Sequence, residues 1–103
     1  MKTKRKDIII PHLGYTVKIR PFKNAPEEMP NALAFVKSET PHTCTLYLDF
    51  SKHMEAGDIA HELVHVLQFL CLHRNIDFVT ETEHMGYLMG WMMGVIFNRE
   101  YDV

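Results

Sequence analysis

The hydrophobic pattern of this chain changes its period once, close to residue 50. Before that point, residues 15–20 and 43–49 alternate apolar and polar side chains and are rich in β-branched residues, which is typical of strands. Shorter apolar runs at 7–10 and 32–36 predict one or two more strands. After that point, apolar residues recur at the helical period of 3.6. This order predicts an α+β fold, with a small N-terminal β-sheet of three or four strands followed by two packed helices.

Two helices are predicted in the second half of the chain. The first is expected to begin at about residue 52 or 56, with Ser51 as a candidate N-cap, and to end near residue 73. The second is expected to begin at Thr80 or Thr82 and to end near residue 99. The first helix is apolar over most of its circumference, so we expect it to be buried.

Length and charge narrow the possible classes of protein. A chain of 103 residues is expected to form a single domain, 1–103, in which the basic segment 1–7 is a flexible terminus. A net charge of −2 gives no support for nucleic-acid binding. We find no signal peptide and no apolar stretch of membrane-spanning length, and therefore expect a cytoplasmic protein without a membrane partner.

Cys44 and Cys71 match no metal or redox pattern and are expected to be buried free thiols.

The predicted first helix contains the sequence His61-Glu62-Leu63-Val64-His65. Residues four apart lie on one face of a helix, so both imidazoles can reach a single metal ion, and Glu62 can reach a water molecule on that ion. This is the H-E-x-x-H arrangement of zinc hydrolases. Composition alone leads us to expect only about 0.03 accidental matches in this chain. The alternative is a pair of partly exposed, hydrogen-bonded histidines on a helix edge.

Catalytic zinc needs a third protein ligand. His73 lies too far along the same helix, and Glu83 at the start of the second helix is the preferred candidate, with Glu81 as the alternative. The alternative role for Glu83 is structural, because it also fits a capping box in which Thr80 is the N-cap residue.

Glycines recur every four residues on the second helix, on the helical face that also carries Glu83. Each glycine costs about 1 kcal/mol in a helix interior, so three on one stripe need a reason. We expect the stripe to let the first helix approach closely, which would carry Glu83 towards the histidines. The alternative is that the stripe forms a homo-oligomer contact. The three glycines are Gly86, Gly90 and Gly94.

Residues 43–98 resemble the gluzincin metallopeptidases, and most closely the minigluzincins and small phage-encoded H-E-x-x-H proteins. The resemblance rests on the H-E-L-V-H motif at 61–65 and on the segment Glu83-His84-Met85-Gly86-Tyr87-Leu88-Met89-Gly90, which is similar to the E-x-x-x-Y-L-x-G segment of those families. It implies a zincin-like domain with zinc on His61, His65 and Glu83, and with Glu62 as the general base of a zinc peptidase.

The resemblance further implies that an edge strand, here 45–49, aligns a peptide or protein substrate by strand addition. Larger gluzincins stabilise the oxyanion with a further domain, which this chain is expected to lack. This leaves His84, Tyr87, Tyr47 and Tyr101 as candidates for that role. Minigluzincins can be latent, so residues 100–103 are a candidate plug of the cleft. The competing hypothesis is a non-catalytic zinc-binding structural or interaction module, such as a phage accessory protein.

Overall fold

The computed structural model describes residues 6–22, 32–49 and 54–97. Four strands come first: β1 (Lys6–Ile10), β2 (Tyr15–Pro21), β3 (Ala34–Thr40) and β4 (Thr43–Leu48). Two helices follow, α1 (Ala56–Arg74) and α2 (Thr82–Phe97). The predicted α+β fold, a small N-terminal sheet followed by two packed helices, is therefore confirmed.

The strands form one mixed sheet in the order β1-β2-β4-β3. β1 pairs with β2 as an antiparallel hairpin, and β3 pairs with β4 in the same way. β2 and β4 run parallel, with Val17 opposite Cys44 and Ile19 opposite Leu46. The predicted edge strand at 45–49 is thus wrong, because β4 is bonded on both sides and β3 lies at the edge. The apolar side chains of β4 explain its central position, since Cys44, Leu46 and Leu48 are fully buried.

One hydrophobic core joins the sheet to both helices. α1 packs on β3 and β4, and α2 packs on α1. The side chains that α1 buries are Ile59, Leu63, Val66, Leu67, Leu70 and Cys71, and those that α2 buries are Met85, Leu88, Met92, Val95 and Ile96. Cys44 and Cys71 are buried free thiols, as predicted. Neither α1 nor α2, the helices within the described residues, is long and apolar enough to span a membrane.

Several boundaries differ from those that the sequence pattern predicts. Lys6 and Asp7 belong to β1 and pair with Ile19 and Lys18, so the predicted flexible terminus 1–7 extends too far. α1 is capped by Glu55, whose side chain forms a reciprocal capping box with Asp58. The predicted N-cap Ser51 and the predicted plug at 100–103 lie outside the described residues.

The glycine stripe does not face α1. Gly86 and Gly90 are exposed, and a Cβ atom added at either position would meet no atom within 4 Å. Tyr87, on the same face, is 75 % exposed. The prediction of a close helix approach through this stripe is therefore wrong at Gly86 and Gly90, whereas Gly94 is half-buried. The physical reason is hydrophobic burial, because the opposite face of α2 carries the large apolar side chains, and burying them stabilises the fold more than a backbone contact would.

Candidate functional site

The second and third turns of α1 place His61 and His65 next to each other, as the helical spacing predicts. Their ring centroids are 5.1 Å apart and their planes meet edge to face at 74°. The opposite face of this part of the helix is fixed in the core by Ile59, Leu63 and Val66. This packing fixes the direction in which both imidazoles point.

The two histidines are exposed, in contrast to the expectation that they are buried in the core. The side chain of His61 is 69 % exposed, and His65 is exposed as well. α1 is amphipathic in the folded protein, because Val64, Gln68 and Leu72 also face outward. Exposed histidines agree with the alternative to a metal site, in which two partly exposed, hydrogen-bonded histidines lie on a helix edge.

Gln68, one turn after His65, fixes the orientation and tautomer of that imidazole. Its Oε1 lies 3.0 Å from Nδ1 of His65. An amide oxygen only accepts hydrogen bonds, so Nδ1 of His65 donates and Nε2 carries the free lone pair. Histidines that bind metals are held by such an outer hydrogen bond. Sequence analysis missed Gln68, although its place three residues after His65 was a usable signal.

Glu62 differs from the histidines because it is sheltered. Its side chain is only 15 % exposed, and one of its carboxylate oxygens lies 3.9 Å from Nε2 of His61. Burial raises the pKa of Glu62, and the neighbouring His61 and His65 act in the opposite direction. A sheltered carboxylate beside two imidazoles is suited to accept a proton.

Glu62 and His61 line a cleft of about 390 Å³ between α1 and the edge of the sheet. The opposite wall is formed by the residues that lead into β3, and the full lining is Ala32, Leu33, Ala34, Gly57, Asp58, His61 and Glu62. No described strand pairs with the outer side of β3, so its backbone groups are open to an added strand at this edge.

The structure does not bring Glu83 to the two histidines. Cys71 Sγ lies 3.6 Å from Met85 Sδ, which places the start of α2 beside the last turns of α1. Cys71 is about 9 Å along the axis from His65, at about 1.5 Å per residue. Glu83 is also exposed, on the outward face of α2 that carries the glycines. Within residues 6–22, 32–49 and 54–97, no three His, Cys, Asp or Glu side chains form a group that could hold a metal ion.

The remaining predicted candidates lie elsewhere. His73 forms a hydrogen bond with Ser38, and Tyr47 stacks on Phe35. Tyr87 points outward from α2, and Tyr101 lies outside the described residues. His84 contacts His12, at 3.0 Å between their Nε2 atoms. None of the described candidates shares the cleft with Glu62.

Comparison with known proteins does not assign this chain to a family. No protein-family model matches the chain. No curated protein and no solved structure matches it either.

Proposed function

We propose that this protein is a zinc-dependent peptidase in which His61 and His65 hold the ion and Glu62 is the general base. The observation that supports it most is the position of Glu62, a sheltered carboxylate in a cleft that His61 also lines, with His65 beside His61 on α1. The donor chemistry fits zinc, because neutral imidazole is one of its commonest ligands, and the Gln68 contact leaves Nε2 of His65 free for it.

Zinc, when bound, supplies a polarised water molecule with a pKa of about 7. With the ion held by His61 and His65, the carboxylate of Glu62 would accept a proton as the water attacks the peptide carbonyl, and would return it to the leaving amine as the C–N bond breaks. The peptide lies along the outer side of β3, where backbone hydrogen bonds hold it extended beside the cleft. The substrate class is therefore an extended segment of a peptide or protein.

The test of catalysis is the variant Glu62→Gln, assayed on a library of peptides. A general base contributes typically about 10²–10⁴-fold, so we expect turnover to fall by at least about 100-fold while the zinc content stays the same. Asp77→Asn is the matched control, since it removes a carboxylate charge in the same way at an exposed position between α1 and α2. Equal rates for wild type and Glu62→Gln would exclude this role for Glu62.

The ligand set is tested by elemental analysis of the purified variants. We expect His61→Ala and His65→Ala to lose zinc from this site. Glu83→Ala is expected to retain it, because Glu83 is on the outward face of α2 and beside the end of α1. Loss of zinc in Glu83→Ala would instead support the ligand set that the family resemblance implies.

A second candidate function is a non-catalytic zinc-binding module. It is favoured by one observation: among the described residues no group of three His, Cys, Asp or Glu side chains could hold a metal ion, whereas a catalytic zinc needs three protein ligands. Under this alternative, wild-type protein binds zinc at His61 and His65 but cleaves no peptide, and Glu62→Gln is indistinguishable from wild type. Under the first proposal, wild type cleaves and Glu62→Gln does not.

A further inference from the structure

A second pair of histidines meets at the other end of the helical layer. His12 and His84 are separated by 72 positions in the chain, yet their Nε2 atoms are 3.0 Å apart. Their ring centroids are 5.1 Å apart and the planes are inclined by 29°. Because the Nε2 atoms are much closer than the centroids, the two rings lean together with their Nε2 ends converging.

This convergence matches the spacing of two ligands on one metal ion. Imidazole nitrogens bind zinc at about 2.0–2.1 Å, which puts two ligands at a tetrahedral angle roughly 3.3 Å apart. An observed separation of 3.0 Å needs only a few tenths of an ångström of adjustment. Without a metal, the same atoms share one proton in a hydrogen bond, so one ring must be the donor.

Both histidines are carried by rigid elements. His12 lies in the 3-10 turn Pro11–Leu13, which is closed by a hydrogen bond from the Gly14 N–H to the Pro11 carbonyl. Arg74 at the end of α1 donates to the carbonyls of Leu13 and Gly14, at 2.6 and 2.8 Å. His84 lies in the first turn of α2, next to the fully buried Met85. A pair held this way is largely preorganised, and ordering costs little on binding.

The described elements that carry or anchor this pair also bear charged side chains. The guanidinium of Arg74 is engaged by backbone carbonyls, by His42 and by the ring of Tyr15. Glu81 lies one turn before His84 and contributes a negative charge near α2. Glu83 precedes His84 and faces outward.

We propose that His12 and His84 form a second, two-histidine site for a borderline divalent metal such as Zn²⁺ or Ni²⁺. The described residues provide no third side-chain ligand, so water molecules complete the coordination. The bound metal links the turn after β1 to the start of α2 across a separation of 72 positions. Such a link stabilises the folded state, because the unfolded chain does not hold the two imidazoles together.

The test uses untagged full-length protein in which His61→Ala and His65→Ala remove the first pair. Zinc at saturating concentration is expected to raise the melting temperature of this double variant by at least about 4 °C relative to EDTA. Equilibrium dialysis is expected to find about one zinc per chain, at low micromolar or weaker affinity.

Adding His12→Ala or His84→Ala to the double variant is expected to abolish both the temperature shift and the bound zinc. Adding His73→Ala is the control, because it removes a half-buried histidine whose ring forms a hydrogen bond with Ser38 of β3. If the His12→Ala variant does not fold, the His12→Gln variant replaces it. Equilibrium dialysis of the folded His12→Gln protein then measures the loss of bound zinc. Undiminished zinc binding after loss of His12, or an equal loss in the His73→Ala control, would overturn the proposal.

Discussion

The two histidine pairs of this protein arise in different ways. His61 and His65 are neighbours because a helix repeats every 3.6 residues, and any folded α1 brings them together. His12 and His84 meet only because the turn after β1 and the start of α2 are brought together by the tertiary fold. The first pair depends on local structure and the second on the whole molecule. Four kinds of variant test this difference. They change a core side chain, a side chain that anchors a turn, a side chain that makes one hydrogen bond, and an exposed glycine.

The largest effect is expected from Leu63→Ala, which removes the support beneath the first pair. Leu63 lies between the two histidines in sequence and is fully buried. Truncation of a buried leucine costs about 2–5 kcal/mol of unfolding free energy. Urea unfolding followed by circular dichroism measures this loss. Val64→Ala is the control, since Val64 is 43 % exposed and should cost less than about 1 kcal/mol. Equal losses in the two variants would contradict the orientation of α1.

Arg74→Ala is expected to damage the second pair while leaving the first intact. Arg74 holds the carbonyls of Leu13 and Gly14, and so fixes the turn that carries His12. Loss of these charge-assisted hydrogen bonds should cost about 2 kcal/mol. In the background that lacks His61 and His65, the zinc-dependent temperature shift should also shrink. Lys18→Ala, which breaks an ion pair with Glu39, should cost less than about 1 kcal/mol and leave that shift unchanged.

Gln68→Ala is expected to weaken metal binding at the first pair alone. The variant removes the acceptor that orients Nδ1 of His65. Loss of such an outer hydrogen bond costs about 10–100-fold in metal affinity. Competition with a chromophoric zinc chelator measures the dissociation constant, with His12→Ala present to remove the second site. Leu72→Ala, on the same exposed face, is the control, and an unchanged affinity in Gln68→Ala would remove Gln68 from the site.

The smallest effect is expected from Gly90→Ala, and it should be a gain. A Cβ atom at this exposed helical position meets no atom within 4 Å, so alanine should stabilise α2 by roughly 0.5–1 kcal/mol. Gly14→Ala should have the opposite sign, because Gly14 has a φ of 59°, which other residues rarely adopt. If the glycine stripe is instead a homo-oligomer contact, Gly90→Ala will lose stability in a way that depends on protein concentration. Sedimentation over a dilution series separates these outcomes.

Much of the fold could be read from the sequence because it depends on local patterns. Alternation at 15–20 and 43–49 located β2 and β4, and the change to a helical period located α1 and α2 within a few residues. The adjacency of His61 and His65 followed from the same periodicity. The sheltered position of Glu62 did not, because it depends on the residues leading into β3 that face it across the cleft.

Most of the incorrect expectations concern how elements pack. Position in sequence does not reveal that β4 is inserted between β2 and β3. The glycine stripe suggested a close helix contact, but burial of Met85, Leu88 and Met92 on the other face determined the rotation of α2. The same rotation moves Glu83 outward.

The sequence by itself determined the elements, their order and the helical pair His61 and His65, because hydrophobic period and helix geometry act over a few residues. The tertiary structure alone decided which strands lie at the edges, which face of α2 is buried, and that His12 meets His84. These depend on the free energy of burying apolar surface across distant parts of the chain, a quantity that no short stretch of sequence contains.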